Sequence, residues 1–244
     1  MANAQLFETT IPAGDGALET PAVAILPNGA ERGVVVIHEI FGRQPEIDRV
    51  VERFAAVGYA AVAPDLMRRG KFACLRDLFG AMKTGDGISV RQGRNARSWL
   101  SAQTGIDPAR VGLIGFCFGG GYALTAGAGW GAVSANYGTV PSRRALQGIG
   151  PVIACYGSRD KTMQRMPERL RERLAAVGQS DAEVHVFDAG HSFLTDGRPH
   201  LIQKLAPMGF GNYPQARQEA WERIFAFFDR HLSAGRPAEA AARR

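Results

Sequence analysis

Residues 111–122 constrain the fold of this chain more than any other stretch, because they predict a buried strand that turns abruptly into a helix. An apolar run opens the stretch, Gly115, Cys117 and Gly119 follow in a G-x-C-x-G pattern, and helix-forming residues come next. Small residues on either side of the central position let the backbone turn, and the central side chain is then held above the sheet edge in a strained conformation. The pattern therefore predicts that Cys117 is a nucleophile at the junction of a strand and a helix.

The nucleophile position carries a cysteine, where the corresponding turn of hydrolases usually carries a serine. A thiol at the N-terminus of a helix feels the positive end of the helix dipole, which favours the nucleophilic thiolate. Two other interpretations remain, since a lone cysteine is often a buried apolar residue and glycine-rich turns also hold phosphates. Phosphate binding is disfavoured because no Gly-Lys-Ser/Thr follows and the glycines do not fit G-x-G-x-x-G.

The length and composition of the chain predict one globular domain with a sizeable core. The chain has 244 residues, of which 45% are hydrophobic and 21% charged. We expect residues 1–244 to form this domain, with a loosely held tail after about residue 233. No apolar run approaches the length of a membrane span, and residues 1–10 lack the features of a signal peptide. Three widely spaced cysteines match neither a disulfide framework nor a zinc pattern, so we expect a cytoplasmic protein without a metal.

The net charge of +6 raises the question of a nucleic-acid partner. The arginines are scattered among acidic residues, as in 165–173, and no basic block with interleaved aromatic residues is present. This distribution predicts solvated helix faces and neither a nucleic-acid nor a membrane partner. The excess of arginine would instead favour small anionic substrates through long-range attraction.

Strand and helix patterns alternate along most of the chain. Residues 5–11 and 17–26 predict an opening antiparallel hairpin. The further predicted strands are 33–38, 59–63, 111–115, 131–137, 151–156 and 182–187. Besides the helix after Cys117, the predicted helices are 45–57, 72–83, 88–102, 167–177 and 215–232. This alternation predicts an α/β fold, with a mostly parallel central sheet and helices on both faces.

Two polar residues after later strands complete a candidate catalytic group. Asp160 and His191 each follow a predicted strand, and ligands of parallel sheets bind outside the carboxyl ends of the strands. The chain order of nucleophile, acid and histidine is that of α/β-hydrolases. His191 would accept the proton of Cys117, and Asp160 would orient the imidazole. The alternatives are that Asp160 is only a turn residue and that His191 lies in a surface loop.

The loop after the strand 33–38 supplies further candidates. Backbone N–H groups of Ile40 and Phe118 occupy the positions of an oxyanion hole. A carboxylate directly after a buried strand is costly unless it is paired, so we expect Glu39 to contact the Cys117 thiol and to hold or take its proton. The alternative for Glu39 is a solvated loop residue. We expect His38 to be a strand-end residue with its hydrogen bonds satisfied rather than a base.

Four of these motifs together resemble a known family. The segments 38–42, 115–120 and 190–193 and the turn at Asp160 are similar to the dienelactone hydrolases, or carboxymethylenebutenolidases, in the same order. The similarity runs from about residue 18 to 232. It implies an α/β-hydrolase fold and a triad of Cys117, His191 and Asp160. It also implies that Glu39 contacts the thiol in the resting enzyme and swings away when substrate binds.

The resemblance also concerns substrate binding. Family members that open dienelactone hold its carboxylate with two arginines. Arg69 matches the first of them, with Arg68 as a neighbouring candidate, whereas the second position, four residues after His191, carries Thr195. Arg198 is nearby but out of register. Half of the clamp is therefore missing, which counts against dienelactone itself more than against hydrolase chemistry.

These inferences converge on a cysteine hydrolase that needs no cofactor. It would open a lactone or cleave a small anionic ester through a thioester intermediate. Two alternatives remain. The first is a related enzyme with a different substrate, such as a thioester or a larger ester, and the second is a non-catalytic member of the same fold that only binds a ligand or whose thiol senses oxidants. The residue pattern determines neither the particular substrate nor the oligomeric state.

Overall fold

The structure of the chain, a computed structural model, describes residues 5–67, 70–195 and 206–233. Its strands are β1 Phe7–Ile11, β2 Thr20–Ile25, β3 Arg32–Ile37, β4 Tyr59–Pro64, β5 Val111–Phe116, β6 Ala132–Asn136, β7 Val152–Gly157 and β8 Ala182–Phe187. Its α-helices are α1 Pro45–Ala56, α2 Lys71–Thr84, α3 Ile88–Thr104, α4 Phe118–Ala126, α5 Met166–Ala176 and α6 Pro214–Leu232.

The eight strands form one sheet in the order β1-β2-β4-β3-β5-β6-β7-β8. β1 pairs antiparallel with β2, and β2 pairs antiparallel with β4. The pairs from β4 to β8 are all parallel. The predicted opening hairpin and the predicted mostly parallel α/β sheet are both confirmed.

Two glycines show that helices cover both faces of the sheet. Gly33 of β3 pairs with Val111 of β5, so their side chains share one face, and a Cβ on Gly33 would lie 2.8 Å from Leu100 of α3. The next residue, Gly112, faces the opposite way, and a Cβ there would lie 2.8 Å from Phe228 of α6. Since α3 and α6 pack this closely on opposite faces, larger residues at these positions would push the layers apart.

Phe54 joins α1 to α6 on one of these faces. Its ring lies 5.1–6.0 Å from four other aromatic rings, those of Tyr59, Trp221, Phe225 and Phe228. Offset and edge-on pairs of this kind stabilise a core beyond the burial of area alone. The face of α6 that carries Trp221, Phe225 and Phe228 is therefore packed against Phe54 of α1.

The predictions for α2 and α3 end one and two residues too early, respectively. Each helix runs to the residue before a glycine, and Gly85 and Gly105 adopt left-handed conformations with φ of 82° and 75°. A left-handed glycine after the last helical residue is a common way to terminate a helix. Among the described residues, no helix has the length and apolarity needed to cross a membrane.

Gly93, inside α3, provides a test of this packing. A Cβ on Gly93 would lie 1.9 Å from the hydroxyl oxygen of Tyr122, which is buried and donates a hydrogen bond to the carbonyl oxygen of Ser89 over 2.9 Å. Alanine normally stabilises a helix interior by roughly 0.5–1 kcal/mol relative to glycine. Here the displacement of Tyr122 should cost more than that gain.

We expect Gly93→Ala to lower the free energy of unfolding by about 1–2 kcal/mol, measured by urea denaturation. Gly80→Ala is the matched control, because Gly80 lies in α2 and, outside the backbone of its own helix turns and its chain neighbours, no atom of the described residues would lie within 4 Å of its added Cβ. That variant should be more stable than the parent by roughly 0.5–1 kcal/mol. A stabilised Gly93→Ala protein would contradict the close contact of α3 with Tyr122.

Candidate active site

Cys117 lies at the sharp junction between β5 and α4, with φ of 54° and ψ of −111°. A Cβ on Gly115 would lie 1.8 Å from the carbonyl oxygen of Gly119, and a Cβ on Gly119 would lie 2.4 Å from the carbonyl oxygen of Ile37. Only glycine fits at either position. The predicted turn from strand to helix is therefore present, and its small residues are required by backbone contacts on both sides.

Backbone hydrogen bonds hold Cys117 in this strained conformation. Its N–H donates to the carbonyl oxygen of Asn136 over 3.0 Å, and its own carbonyl oxygen accepts from Gly120 and Gly121 over 3.0 and 3.2 Å. The side-chain amide of Asn136 also donates to the carbonyl oxygen of Gly115 over 3.1 Å. A residue in a sparsely populated backbone region costs of order 1–3 kcal/mol, which these contacts offset.

Asp160 and His191 meet after the ends of β7 and β8. A hydrogen bond of 2.5 Å joins Nδ1 of His191 to Oδ2 of Asp160, and both side chains are buried. Oδ1 of Asp160 accepts from the backbone N–H and the hydroxyl of Thr162 over 2.9 and 2.5 Å. Because the carboxylate is held from both sides, it fixes the orientation of the imidazole. His191 is thus not a surface loop residue.

The sulfur of Cys117 is adjacent to the imidazole of His191, whose other ring nitrogen is Nε2. Nε2 is buried and makes no hydrogen bond of regular geometry to any residue in the described part of the chain. Burial lowers the pKa of His191, but the hydrogen bond to Asp160 and the adjacent Cys117 sulfur outweigh it and raise this pKa to about 9. The structure therefore brings Cys117, His191 and Asp160 together, although they are far apart along the chain.

Residues 206–210 contact the loop that carries His191 from outside. The N–H of His191 donates to the carbonyl oxygen of Met208 over 2.8 Å, and the ring of Phe210 lies edge-on to the imidazole at 5.9 Å. A Cβ on Gly190 would lie 1.7 Å from the carbonyl oxygen of Gly209. Sequence reasoning missed these contacts, because nothing in the residues 206–210 resembles a motif.

The carboxylate of Glu39 takes another hydrogen-bond partner than the Cys117 thiol that the sequence predicts. Its Oε1 accepts a hydrogen bond of 2.9 Å from the hydroxyl of Thr195, and among the described residues no hydrogen bond joins it to the Cys117 thiol. Thr195 is itself buried, and its hydroxyl oxygen lies 3.5 Å from that of Tyr137. Thr195, considered in the sequence only as the replacement of an arginine, therefore holds the carboxylate.

The two predicted oxyanion donors are available. Phe118 is the first residue of α4, where a backbone N–H has no partner within the helix. Neither this N–H nor that of Ile40 donates a hydrogen bond to any residue that the structure describes. Both groups can therefore donate to a bound ligand. Arg69, with Arg68 and Arg198, lies outside the described residues.

The turn at Cys117, together with a buried acid–histidine pair at the carboxyl ends of later strands, defines an α/β-hydrolase. Sequence comparison gives the narrower class. A sequence model of the dienelactone hydrolase family matches residues 20–232. The chain belongs to the dienelactone hydrolase family. With this membership it is a hydrolase of carboxylic esters, and its substrate is a small molecule.

Individual relatives agree with this assignment. A Salmonella typhimurium protein that carries carboxymethylenebutenolidase as a provisional name is 31% identical, over 90% of this chain and 85% of its own length. The carboxymethylenebutenolidase of Rhodococcus opacus is 28% identical, over 85% of this chain and 84% of its own. A crystal structure from Klebsiella pneumoniae, provisionally named a dienelactone hydrolase, superposes with a TM-score of 0.72 at 25% identity and covers 92% of this chain and 98% of that one.

The surroundings of His191 predict an unusual titration. Because its pKa is raised above the ordinary value of 6.5, the imidazole should stay protonated through neutral pH and titrate near pH 9. The corresponding stabilisation of the fold is complete below pH 6.5 and is lost as the pH rises through about 9. The titration can be followed through the imidazole Cε1 proton by NMR, with the resonance assigned by its absence from His191→Gln.

Cys117→Ser and Asp160→Asn should each lower the midpoint of that titration. The first removes the sulfur beside Nε2, and the second removes the charged partner of Nδ1. A midpoint that does not move in Cys117→Ser would mean that the sulfur does not interact with His191.

Proposed function

We propose that the protein hydrolyses a lactone or another small ester, with Cys117 as the nucleophile. The observation that carries this proposal is the buried hydrogen bond between Asp160 and His191, with Nε2 of the histidine left for the sulfur. The buried carboxylate orients the imidazole and stabilises its protonated form. A base that takes and returns a proton needs both effects. The carboxymethylenebutenolidase names of the relatives support a lactone as the substrate.

The proposed reaction has two halves. The Cys117 thiolate attacks the acyl carbon, the bond from this carbon to the ester oxygen breaks, and the departing alkoxide or enolate takes a proton from His191. A water molecule then attacks the thioester while His191 takes one of its protons. The carbon–sulfur bond breaks, the acid is released, and the thiolate and the protonated imidazole are restored. No cofactor is required at any step.

Charge on the tetrahedral intermediate is proposed to be stabilised by backbone amides. The N–H of Ile40 lies in the loop after β3, and the N–H of Phe118 lies in the first turn of α4, directly after the nucleophile. Removal of a single donor from such a site typically costs roughly 3 kcal/mol of transition-state stabilisation. Since these donors belong to the backbone, their side chains need not be of any particular type.

Glu39 and Arg69 are assigned supporting roles in this proposal. Glu39, held by Thr195, would leave that hydroxyl to take or hold the proton of the Cys117 thiol. Arg69 would bind an anionic group of the substrate without a second arginine, because Thr195 occupies that position. The missing second arginine counts against dienelactone itself and favours another small anionic lactone or ester. The three cysteines are free thiols, which suits a reducing cytoplasm.

The nucleophile can be tested by substitution. We expect Cys117→Ala to lower the turnover of p-nitrophenyl acetate by at least about 1,000-fold, because no other group would form the acyl-enzyme. Cys155→Ala is the matched control, since Cys155 is a free thiol buried within β7, and per folded molecule it should retain parental activity. Circular dichroism would establish that both variants are folded.

Two outcomes would count against this function. Turnover that survives in Cys117→Ala would exclude the cysteine as nucleophile. Rapid stoichiometric alkylation of Cys117 in a parent protein that hydrolyses no ester or lactone of a broad panel would favour the alternative, a protein that binds a ligand or senses oxidants through its thiol.

The role of Glu39 has its own test. We expect Glu39→Gln to slow the alkylation of Cys117 by iodoacetamide at neutral pH and to change its pH dependence, because the carboxamide cannot take a proton. Thr195→Ser, which keeps the hydroxyl that holds Glu39, should behave like the parent. An alkylation profile identical in Glu39→Gln and the parent would remove Glu39 from the mechanism.

A further inference from the structure

His38 has both ring nitrogens in hydrogen bonds although its side chain is fully buried. Nδ1 lies 2.7 Å from the carbonyl oxygen of Glu39, and Nε2 lies 3.0 Å from the backbone nitrogen of Leu66. A carbonyl oxygen can only accept, so Nδ1 carries the proton and donates. A backbone N–H can only donate, so Nε2 accepts. Oδ1 of Asp65 is 3.5 Å from Nε2, but the Leu66 amide is nearer and decides the tautomer.

The carbonyl that His38 holds belongs to the same peptide unit as the N–H of Ile40. A peptide unit is planar, and in the trans form its C=O and N–H point in opposite directions. The described residues contain no cis peptide bond. Once the Glu39 carbonyl is held against His38, the direction of the Ile40 N–H is therefore fixed on the other side of the unit.

Other contacts of this peptide are weaker. The Glu39 carbonyl also accepts from the N–H of Gly42, but over 3.2 Å, compared with 2.7 Å for the imidazole. The N–H of Ile40 has no partner among the described residues that would orient it from its own side. The imidazole is therefore the strongest described constraint on the rotation of this peptide unit.

The same imidazole contacts the residue that supplies the second oxyanion donor. The rings of His38 and Phe118 lie parallel within 8°, with their centroids 6.2 Å apart. On its other side, His38 joins the loop after β3 to the loop after β4 through Leu66, whose carbonyl oxygen accepts from the Cys74 thiol over 2.9 Å. A single buried side chain thus links both halves of the proposed oxyanion hole to a neighbouring loop.

We propose that His38 is a positioning residue that orients the Glu39–Ile40 peptide, so that the Ile40 N–H donates to the oxyanion of the reacting ester. This inference rests on the proposed function, because the direction of that N–H matters only if negative charge develops beside it. It assigns His38 no proton transfer and no contact with the substrate.

The two nitrogens can be tested separately by substitution. In His38→Asn the side-chain nitrogen can replace Nδ1 and donate to the Glu39 carbonyl, whereas in His38→Gln the side-chain oxygen can replace Nε2 and accept from Leu66.

We expect His38→Gln to lower kcat for p-nitrophenyl acetate by about 10- to 100-fold with little change in KM, since an oxyanion donor is worth up to about 1,000-fold in rate. His38→Asn should retain a clearly larger part of kcat. His185→Asn, on the edge strand β8, is the control and should behave like the parent.

Alkylation of Cys117 by iodoacetamide separates this inference from the proposed function, because that reaction passes through no oxyanion. The rate of alkylation should be the same in the parent and both His38 variants.

Surviving turnover in Cys117→Ala would overturn the proposed function. If Cys117→Ala is inactive, three results would each overturn the positioning role alone. The first is a parental kcat in His38→Gln, and the second is a loss of kcat as large in His38→Asn as in His38→Gln. The third is a loss of alkylation rate that matches the loss of kcat. If His38→Gln does not fold, His38→Asn decides by itself, and a kcat reduced more than 100-fold with alkylation intact would overturn the role.

Discussion

The site depends on a close approach of backbone to backbone at the start of α4. Gly115 and Gly119 lie so close to neighbouring carbonyl groups that a methyl group at either position would overlap them. This contact brings the first turn of α4 against the carboxyl end of β3, and with it brings Cys117 and the Phe118 amide beside the loop that carries Glu39 and Ile40. The strained backbone of Cys117 is a consequence of the same approach, and the hydrogen bond to the Asn136 carbonyl maintains it.

Around this turn, the buried side chains of Asp160, His191 and Thr195 and the half-buried side chain of Glu39 are held by hydrogen bonds. Asp160 is bound by Thr162 and binds His191, while Glu39 is bound by Thr195. Burial makes these arrangements rigid, because an unpaired polar group inside the protein is costly. The raised pKa of His191 follows from this environment, since the carboxylate and the sulfur favour its charged form more than burial opposes it.

Much of this architecture was predictable because it follows from local patterns. The strands β3 to β8 were each predicted to within one residue at either end, since apolar β-branched runs between turns leave few alternatives. Cys117, Asp160 and His191 were predictable as a group because each follows a strand, and parallel strands end at the same edge of the sheet. The hydrogen bond between Thr195 and Glu39 was not predictable, because it joins residues 156 positions apart. In addition, neither a threonine nor a glutamate requires the other as its partner. The support of His191 by Met208 was unpredictable for the same reason, since it uses only backbone groups.

The sequence by itself determined the class of fold, the turn at Cys117 and which aspartate and histidine end up together, because these depend on periodicity, on glycine spacing and on order along the chain. Only the tertiary structure decided which partner each polar group takes. Glu39 binds Thr195 rather than the thiol, and His38 binds the Glu39 carbonyl and the Leu66 amide. Such choices depend on the distances between atoms that folding brings together, and no local pattern encodes those distances.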